Sequence, residues 1–334
     1  MHHGEEKARV FVSQPIPTSA IALLEKHFRV IRNADDRILR RNELKKALRD
    51  ADGLLSLLTD KIDGDLLAGA PKLRIVANMA VGYDNVDLKA ATERGIMVTN
   101  TPGVLTETTA DLAWALILGV ARRLVESDRY TREGKFRGWG PMLFLGTDVY
   151  GKTLGIIGFG RIGQALARRA RGFKMKVLFY DEMEVSPRVY ERLKARPVTL
   201  ETLLREADYI SLHVPLTDTT RRLISREQLG MMKSSAYLIN TSRGPIIDEK
   251  ELVRALKSKQ IAGAGLDVYE KEPALAAGLK GLSNAVLLPH IGSASVETRT
   301  KMALMAAENI RKALSGKRPP NLLNEVRWNR GKQP

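Results

Sequence analysis

The chain has 334 residues, 44% of them hydrophobic, a formal net charge of +16 and no cysteine. That length predicts about two domains, each with a sizeable core. The missing cysteines exclude disulfides, thiolate chemistry and cysteine-ligated metal centres.

No apolar run approaches the ~20 residues of a membrane span, and Met1 to Glu6 carries no apolar signal region. The expectation is therefore a cytoplasmic protein without a membrane partner; His2 and His3 are set aside as a natural start or a tag remnant. Basic residues fall in scattered pairs such as Arg40-Arg41, Arg122-Arg123, Arg168-Arg169 and Arg221-Arg222, and aromatics make up only 5% of the chain. A basic surface without interleaved aromatics predicts steering of small anions rather than nucleic-acid binding.

In chain order, buried strands are predicted at Arg9–Val12, Gly53–Leu58, Leu73–Ala77 and Ile96–Thr99, with amphipathic helices over Ala20–His27 and Arg41–Ala51 between them. This βαβ rhythm implies a mostly parallel sheet covered on both faces. Thr99-Asn100-Thr101-Pro102-Gly103 breaks it. A helix predicted over Glu107–Arg123 is apolar on several faces, which suits burial at a junction or interface, and a glycine-rich loop containing Trp139 follows over Arg132–Val149. A second βαβ series opens at Thr153 and runs to about Pro289, and a last helix is predicted over Ser295–Ser315. A C-terminal helix commonly returns to the N-terminal domain. The expected division is thus a discontinuous substrate-binding domain, 1–103 plus 294–334, and a cofactor domain, 104–293.

The second series opens on the most informative motif. Gly158-Phe159-Gly160-Arg161-Ile162-Gly163 lies between a predicted strand, Thr153–Ile157, and a predicted helix, Gln164–Phe173, and Asp181 ends the next predicted strand, Lys176–Tyr180. Glycines in that context, with an acid about 20 residues on, form the dinucleotide fingerprint. Gly158, Gly160 and Gly163 permit the tight turn and close approach of a pyrophosphate, and Arg161 and Ile162 lead from the turn to the helix whose N-terminal N–H groups face it. Asp181 is expected to bind the ribose hydroxyls of NAD and to repel the extra phosphate of NADP.

Three more residues follow predicted strands of the same domain: Arg243 after Ala236–Asn240, Asp267 after Ala262–Leu266 with Glu272 close behind, and His290 after Leu287-Leu288-Pro289. In open α/β sheets ligands bind beyond the carboxyl ends of strands. There an arginine fork suits a carboxylate, and an imidazole beside an acid suits proton transfer to a carbonyl. Of five histidines, His2, His3 and His27 lie far from this region. His213 follows a strand without a nearby strand-end acid, so His213 and Pro215 are expected to line the cofactor cleft.

These motifs together resemble the D-isomer-specific 2-hydroxyacid dehydrogenases. The likeness rests on Gly158 to Gly163, Asn240-Thr241-Ser242-Arg243-Gly244, Leu266-Asp267-Val268 with Glu272-Pro273, and Pro289-His290-Ile291-Gly292-Ser293. Asn78 to Asp87, Val98 to Pro102 and Trp139-Gly140-Pro141 are similar to its glyoxylate/hydroxypyruvate reductase branch. The resemblance implies two doubly wound α/β domains, flavodoxin-like for substrate and Rossmann for cofactor, with a cleft between them. It further implies reduction of a small 2-keto acid to the D-2-hydroxy acid by NADH, with no metal.

The residue roles come from the same likeness. Arg243 would hold the substrate carboxylate, His290 would give the carbonyl oxygen its proton, and Glu272 would pair with His290 and keep it protonated near neutral pH. The N–H groups of Val81 and Gly82, with Leu58, would complete the substrate side. Asp267 would meet the nicotinamide amide, Thr106 would contact the cofactor near the hinge, and Trp139 would reach into a neighbouring subunit, implying a homodimer.

Related activities remain in view. Formate dehydrogenases share the pattern but carry glutamine where Glu272 stands. Phosphite dehydrogenases place a lysine at the position of Val81. Phosphoglycerate dehydrogenases usually carry an extra regulatory domain beyond the length of this chain. NAD-sensing corepressors keep the same triad but carry a long disordered tail.

Overall fold

The computed structural model describes residues 7–326, and His2 and His3 lie outside them. Contacts divide these residues into two units, 7–105 with 294–326, and 106–293.

In the first unit β1 (Arg9–Val12), α1 (Thr18–Glu25), β2 (Arg29–Arg32), α2 (Arg41–Leu48), β3 (Gly53–Ser56), α3 (Gly64–Ala68), β4 (Ile75–Asn78), α4 (Leu88–Glu93) and β5 (Met97–Thr99) alternate strictly. Their sheet is all parallel in the order β2-β1-β3-β4-β5, the flavodoxin-like arrangement. β3 and β4 are buried at every position. A parallel strand covered on both faces needs a continuous apolar run, which is why these strands are plain in the sequence.

β2 is not anticipated by the sequence reading. Arg-Val-Ile-Arg lies at the sheet edge and none of its residues is fully buried, so charge rather than apolar run marks it. Asn324 closes the opposite edge: its side chain accepts from Val98 N–H and donates to the Ile96 carbonyl.

The second unit holds α5 (Thr106–Ala121), α6 (Leu124–Arg132), β6 (Thr153–Ile157), α7 (Arg161–Ala170), β7 (Lys176–Tyr180), α8 (Pro187–Leu193), β8 (Ala195–Pro197), α9 (Leu200–Glu206) and β9 (Tyr209–Leu212). It continues through α10 (Arg226–Met231), β10 (Tyr237–Asn240), α11 (Glu249–Lys257), β11 (Gly263–Leu266) and β12 (Ala285–Leu287), and the first unit is completed by α12 (Val296–Leu314). The seven-stranded sheet runs β12-β11-β10-β9-β6-β7-β8, all parallel. Its order reverses between β6 and β9, as in a Rossmann fold, and that switch point is where such sheets bind ligands.

Two local outcomes differ from the sequence reading. α7 begins at Arg161, inside the glycine motif, rather than at Gln164. α6 is not anticipated, because it buries none of its residues and so shows no apolar stripe. It carries ion pairs one turn apart instead, Arg132 with Asp128 at 2.8 Å and Arg129 with Glu133 at 2.7 Å. α5, by contrast, is buried on several faces, including Ala113, Trp114, Leu116 and Ile117, as its sequence predicts.

Candidate active site

The glycine turn follows β6 directly. Gly158 has φ of 92°, and a Cβ there would sit 2.7 Å from the His213 carbonyl carbon, so only glycine fits. A Cβ on Gly163 would sit 2.3 Å from the Gly158 carbonyl oxygen, which fixes how closely α7 packs on the turn. Gly160 is different: nothing lies within 4 Å of its missing Cβ, so this face is open to an incoming group. Gly160 is also the N-cap of α7 and supplies no side-chain cap, leaving the first N–H groups of that ten-residue helix available to an anion.

Asp181 stands at the end of β7, where its Oδ2 accepts from Phe159 N–H at 2.6 Å and its Oδ1 from Met183 N–H at 2.9 Å. The acid therefore secures the glycine turn itself. A carboxylate has about four acceptor positions, so capacity for ribose hydroxyls remains. On the far side of the turn His213 Nε2 lies 2.9 Å from Ser211 Oγ. Burial pushes the His213 imidazole down to about 4, so the ring is neutral at ordinary pH. Pro215 follows in the same β9 loop, and its carbonyl accepts from Thr220 Oγ1.

The carboxyl ends of β10, β11 and β12 are tied to one another by the backbone. Asp267 N–H donates to the Asn240 carbonyl and His290 N–H to the Asp267 carbonyl, each at 2.9 Å. Arg243 is held from below: Asn240 accepts from Ser242 N–H and donates to the Arg243 carbonyl, while Ser242 Oγ donates to the Val214 carbonyl. The Arg243 guanidinium donates to the Ser242 carbonyl at 2.9 Å.

His290 adopts φ of 56°, a left-handed conformation that histidine tolerates better than branched residues. Its Nδ1 lies 2.8 Å from Glu272 Oε2, and Glu272 Oε1 accepts from Tyr269 N–H at 3.0 Å. Burial pushes the Glu272 carboxyl up, but the bond to His290, the His290 and Arg243 charges and the Tyr269 N–H outweigh it and hold the group below its ordinary value. With Nδ1 committed to the carboxylate, Nε2 is the nitrogen left for a substrate.

Asp267 is fully buried, and its Oδ1 accepts from Ile291 N–H at 2.7 Å. Burial raises its carboxyl pKa against that bond. Its Oδ2 has no hydrogen-bond partner among the described residues. A buried acceptor left open costs free energy unless a ligand donor meets it, and a carboxamide N–H is such a donor.

In the first unit the loop after β4 carries Val81 and Gly82. Asn100 donates to the Val81 carbonyl at 2.8 Å and Asn78 to the Gly82 carbonyl at 3.1 Å. Both carbonyls are thus tied back, and neither N–H donates to an acceptor among the described residues. Leu58, 39% exposed, follows β3 on a loop that Asp60 secures through Leu57 N–H. Thr106 opens α5 in the second unit. Trp139, 86% exposed, lies on the loop after α6.

Comparison with known proteins turns this arrangement into an assignment. Residues 114–292 match the family described as D-isomer specific 2-hydroxyacid dehydrogenase, NAD binding domain. The chain belongs to the D-isomer-specific 2-hydroxyacid dehydrogenases. It is 54% identical over 321 residues to a glyoxylate reductase of Korarchaeum cryptofilum, covering 96% of each chain. The solved TT0316 protein of Thermus thermophilus aligns with a TM-score of 0.88 at 46% identity, covering 95% of this chain and all of that one. An NADPH-dependent glyoxylate/hydroxypyruvate reductase of Sinorhizobium meliloti, solved with NADP and malonate, aligns with a TM-score of 0.83 at 33% identity, covering 95% and 97%. The chain is therefore an oxidoreductase, and its second unit contains the family's NAD-binding domain.

Within that family assignment, the residues present fit a nicotinamide dinucleotide. The open face at Gly160, the uncapped start of α7 and the unmatched Asp267 Oδ2 are three separate features that such a ligand would satisfy. Sequence reasoning did not single out the asparagines at strand ends, Asn78, Asn100 and Asn240, which aim the loops carrying Val81, Gly82 and Arg243. The available signal was an amide at the last position of a buried strand, Asn78 and Asn240, or just past it, Asn100, where each side chain must find partners.

Proposed function

We propose that this enzyme reduces glyoxylate or hydroxypyruvate to the D-2-hydroxy acid with NADH. The observation that carries the reading is the 2.8 Å approach of His290 Nδ1 to Glu272 Oε2 on the sheet edge that also presents Arg243. The bound nicotinamide supplies the hydride. Arg243 holds the substrate carboxylate with a bidentate fork. The N–H groups of Val81 and Gly82 suit a carboxylate as well. His290 Nε2 gives its proton to the carbonyl oxygen as negative charge develops there, and Glu272 stabilises the imidazolium before transfer. In the oxidative direction neutral His290 takes the proton back.

Asp267 Oδ2 receives the carboxamide of the cofactor, and Gly158, Gly160, Arg161, Ile162 and Gly163 receive its pyrophosphate. His213, Pro215 and Thr106 complete the cofactor lining. Asp181 selects NAD over NADP by charge, although the Sinorhizobium meliloti relative is described as NADPH-dependent. Residues 7–105 with 294–326 serve the substrate and residues 106–293 the cofactor.

The working form is a homodimer in the cytoplasm. Leu124, Val125, Phe136, Trp139, Met142 and Leu145 are all more than half exposed in one stretch of chain. Exposed apolar side chains grouped in this way suit a second copy of the chain. Among the described residues no helix is long and apolar enough to cross a membrane.

Initial rates with a panel of 2-keto acids, with phosphite and with both cofactors test the assignment. Highest kcat/KM with glyoxylate or hydroxypyruvate and NADH is expected. Faster phosphite oxidation, or NADH binding without turnover of any keto acid, would overturn it.

A further inference from the structure

Glu249 is the first residue of α11 and is 4% exposed. Carboxylates are rarely buried to that extent without a cation, and no cation pairs with this one among the described residues. Burial accordingly pushes its carboxyl up, against two backbone hydrogen bonds that favour the ionised form. Those two bonds define its role. Oε1 accepts from Glu270 N–H at 2.8 Å and Oε2 from Ala276 N–H at 3.2 Å. Glu270 and Ala276 stand on either side of Glu272, so one carboxylate spans the loop that carries the partner of His290.

The same loop is pinned from two other directions. A Cβ on Gly244 would lie 1.8 Å from the Tyr269 carbonyl carbon and 2.5 Å from Glu270 N, so the Arg243–Gly244 backbone rests directly on the Tyr269–Glu270 peptide. Tyr269 Oη donates to the Leu288 carbonyl at 2.8 Å, two residues before His290. The Tyr269–Glu270 peptide is therefore a shared support. The Glu270 N–H of this peptide is held by Glu249 and its face carries the backbone of Arg243, while the Tyr269 N–H, on the peptide just before it, orients Glu272.

We propose that Glu249 is a positioning residue for proton transfer, clipping both ends of the loop so that Glu272 meets His290 Nδ1. The inference rests on the reading of His290 and Glu272 as the proton-transfer pair. Several charged groups face this region: Glu270, paired with Arg222 at 3.1 Å, Asp248, 3.8 Å from the same guanidinium, and Asp267 and Arg243 beside the pair itself. None of them touches Glu270 N–H or Ala276 N–H, so none substitutes for the clip.

Glu249→Gln is the informative variant. It keeps the volume and one acceptor but turns an amide donor toward a backbone donor. Its glyoxylate reduction should be followed against pH alongside Glu272→Gln and the parent, with NADH affinity and melting temperature recorded for each. We expect kcat to fall by about tenfold to a hundredfold, the scale of small misplacements at a reacting centre. The reductive limb should move to lower pH, while NADH affinity stays within about twofold, because the glycine turn follows β6 and does not touch this loop. A lowered melting temperature with kcat and pH profile superimposed on the parent would overturn the proposal and leave Glu249 a purely structural residue. A shifted limb in Glu272→Gln without one in Glu249→Gln refutes the role of Glu249 alone. No shift in Glu272→Gln removes the proton-pair reading and this inference with it. If Glu249→Gln does not fold, Glu249→Asp keeps the charge but is too short to reach both N–H groups, and its profile decides by the same criteria.

Discussion

The His290 imidazole and the Glu272 carboxylate meet at 2.8 Å although they stand eighteen positions apart in the chain. Nothing local joins them. His290 hangs from the end of β12 and Glu272 from the loop after β11, and the backbone bond from His290 N–H to the Asp267 carbonyl sets the spacing between those strand ends.

That geometry makes the pair one proton-transfer unit, with the His290 hydrogen bond and charge helping to hold the Glu272 carboxyl below its ordinary value. Reduction consumes a proton delivered by His290, so its rate should fall as pH rises. Glu272→Gln removes the carboxylate that favours imidazolium, so the falling limb should move to lower pH. Oxidation needs the neutral ring, should rise with pH, and should tolerate the change better. His290→Asn should leave NADH bound and abolish most reduction. Both pH–rate profiles on parent and Glu272→Gln are the measurement, and an unshifted reductive limb would sink the coupling.

Arg243→Ala removes a guanidinium fork rather than a fold element. Loss of one partner of a desolvated charge pair costs roughly 2–5 kcal/mol, or about 30-fold to several thousandfold in kcat/KM. NADH affinity should barely change, because the glycine turn lies on β6 and not on β10. Arg243→Lys should also be poor, since an ammonium cannot reproduce the fork. Collapse of cofactor binding with keto-acid turnover preserved would show the role to be misassigned; fluorescence titration of NADH beside steady-state kinetics separates the two.

Asp181→Asn tests cofactor choice more cleanly than Asp181→Ala. The amide oxygen can still accept from Phe159 N–H, so the turn keeps its support, while the negative charge disappears. The ratio of kcat/KM for NADH to that for NADPH should exceed one in the parent and fall by about tenfold or more in the variant, the scale of removing a single charge from a binding site. A parent that prefers NADPH would refute the assignment of Asp181.

His213 sets a stability limit on the acid side. Its ring is pushed down from 6.5 to about 4 by burial. The unfolded chain therefore takes up a proton that the folded chain refuses between those values. The folded state is unaffected above the unfolded value, loses stability as pH falls from about 6.5, and stops losing it below about 4. The full effect is on the order of 3 kcal/mol. Melting temperatures of the parent and His213→Gln between pH 7 and 4 check this: the variant should lose less over that interval, and parallel curves would contradict it.

Much of the fold was legible because parallel strands buried on both faces leave unbroken apolar runs. Thr153–Ile157 and Lys176–Tyr180 could be read to the residue for that reason. β2 and α6 could not, since an edge strand and an exposed helix draw their stability from a neighbour and from ion pairs, and leave no apolar period in the sequence. The glycine turn was likewise written locally: Gly158, Gly163 and the strand and helix around them are contiguous in the chain.

The sequence by itself determined the parts, which were the glycines, Asp181, a strand-end arginine, a strand-end histidine and an acid nearby. Only the tertiary structure decided their partners. Pairing of Glu272 with His290, the bond of Ser242 to the Val214 carbonyl beside Arg243, and the hold of Glu249 on Glu270 and Ala276 all depend on how adjacent parallel strands are registered and how their loops stack. Most of these bonds join residues far apart in the chain, and hydrogen bonds of that kind form only after the sheet has closed. They leave no period, spacing or composition by which a linear reading could find them.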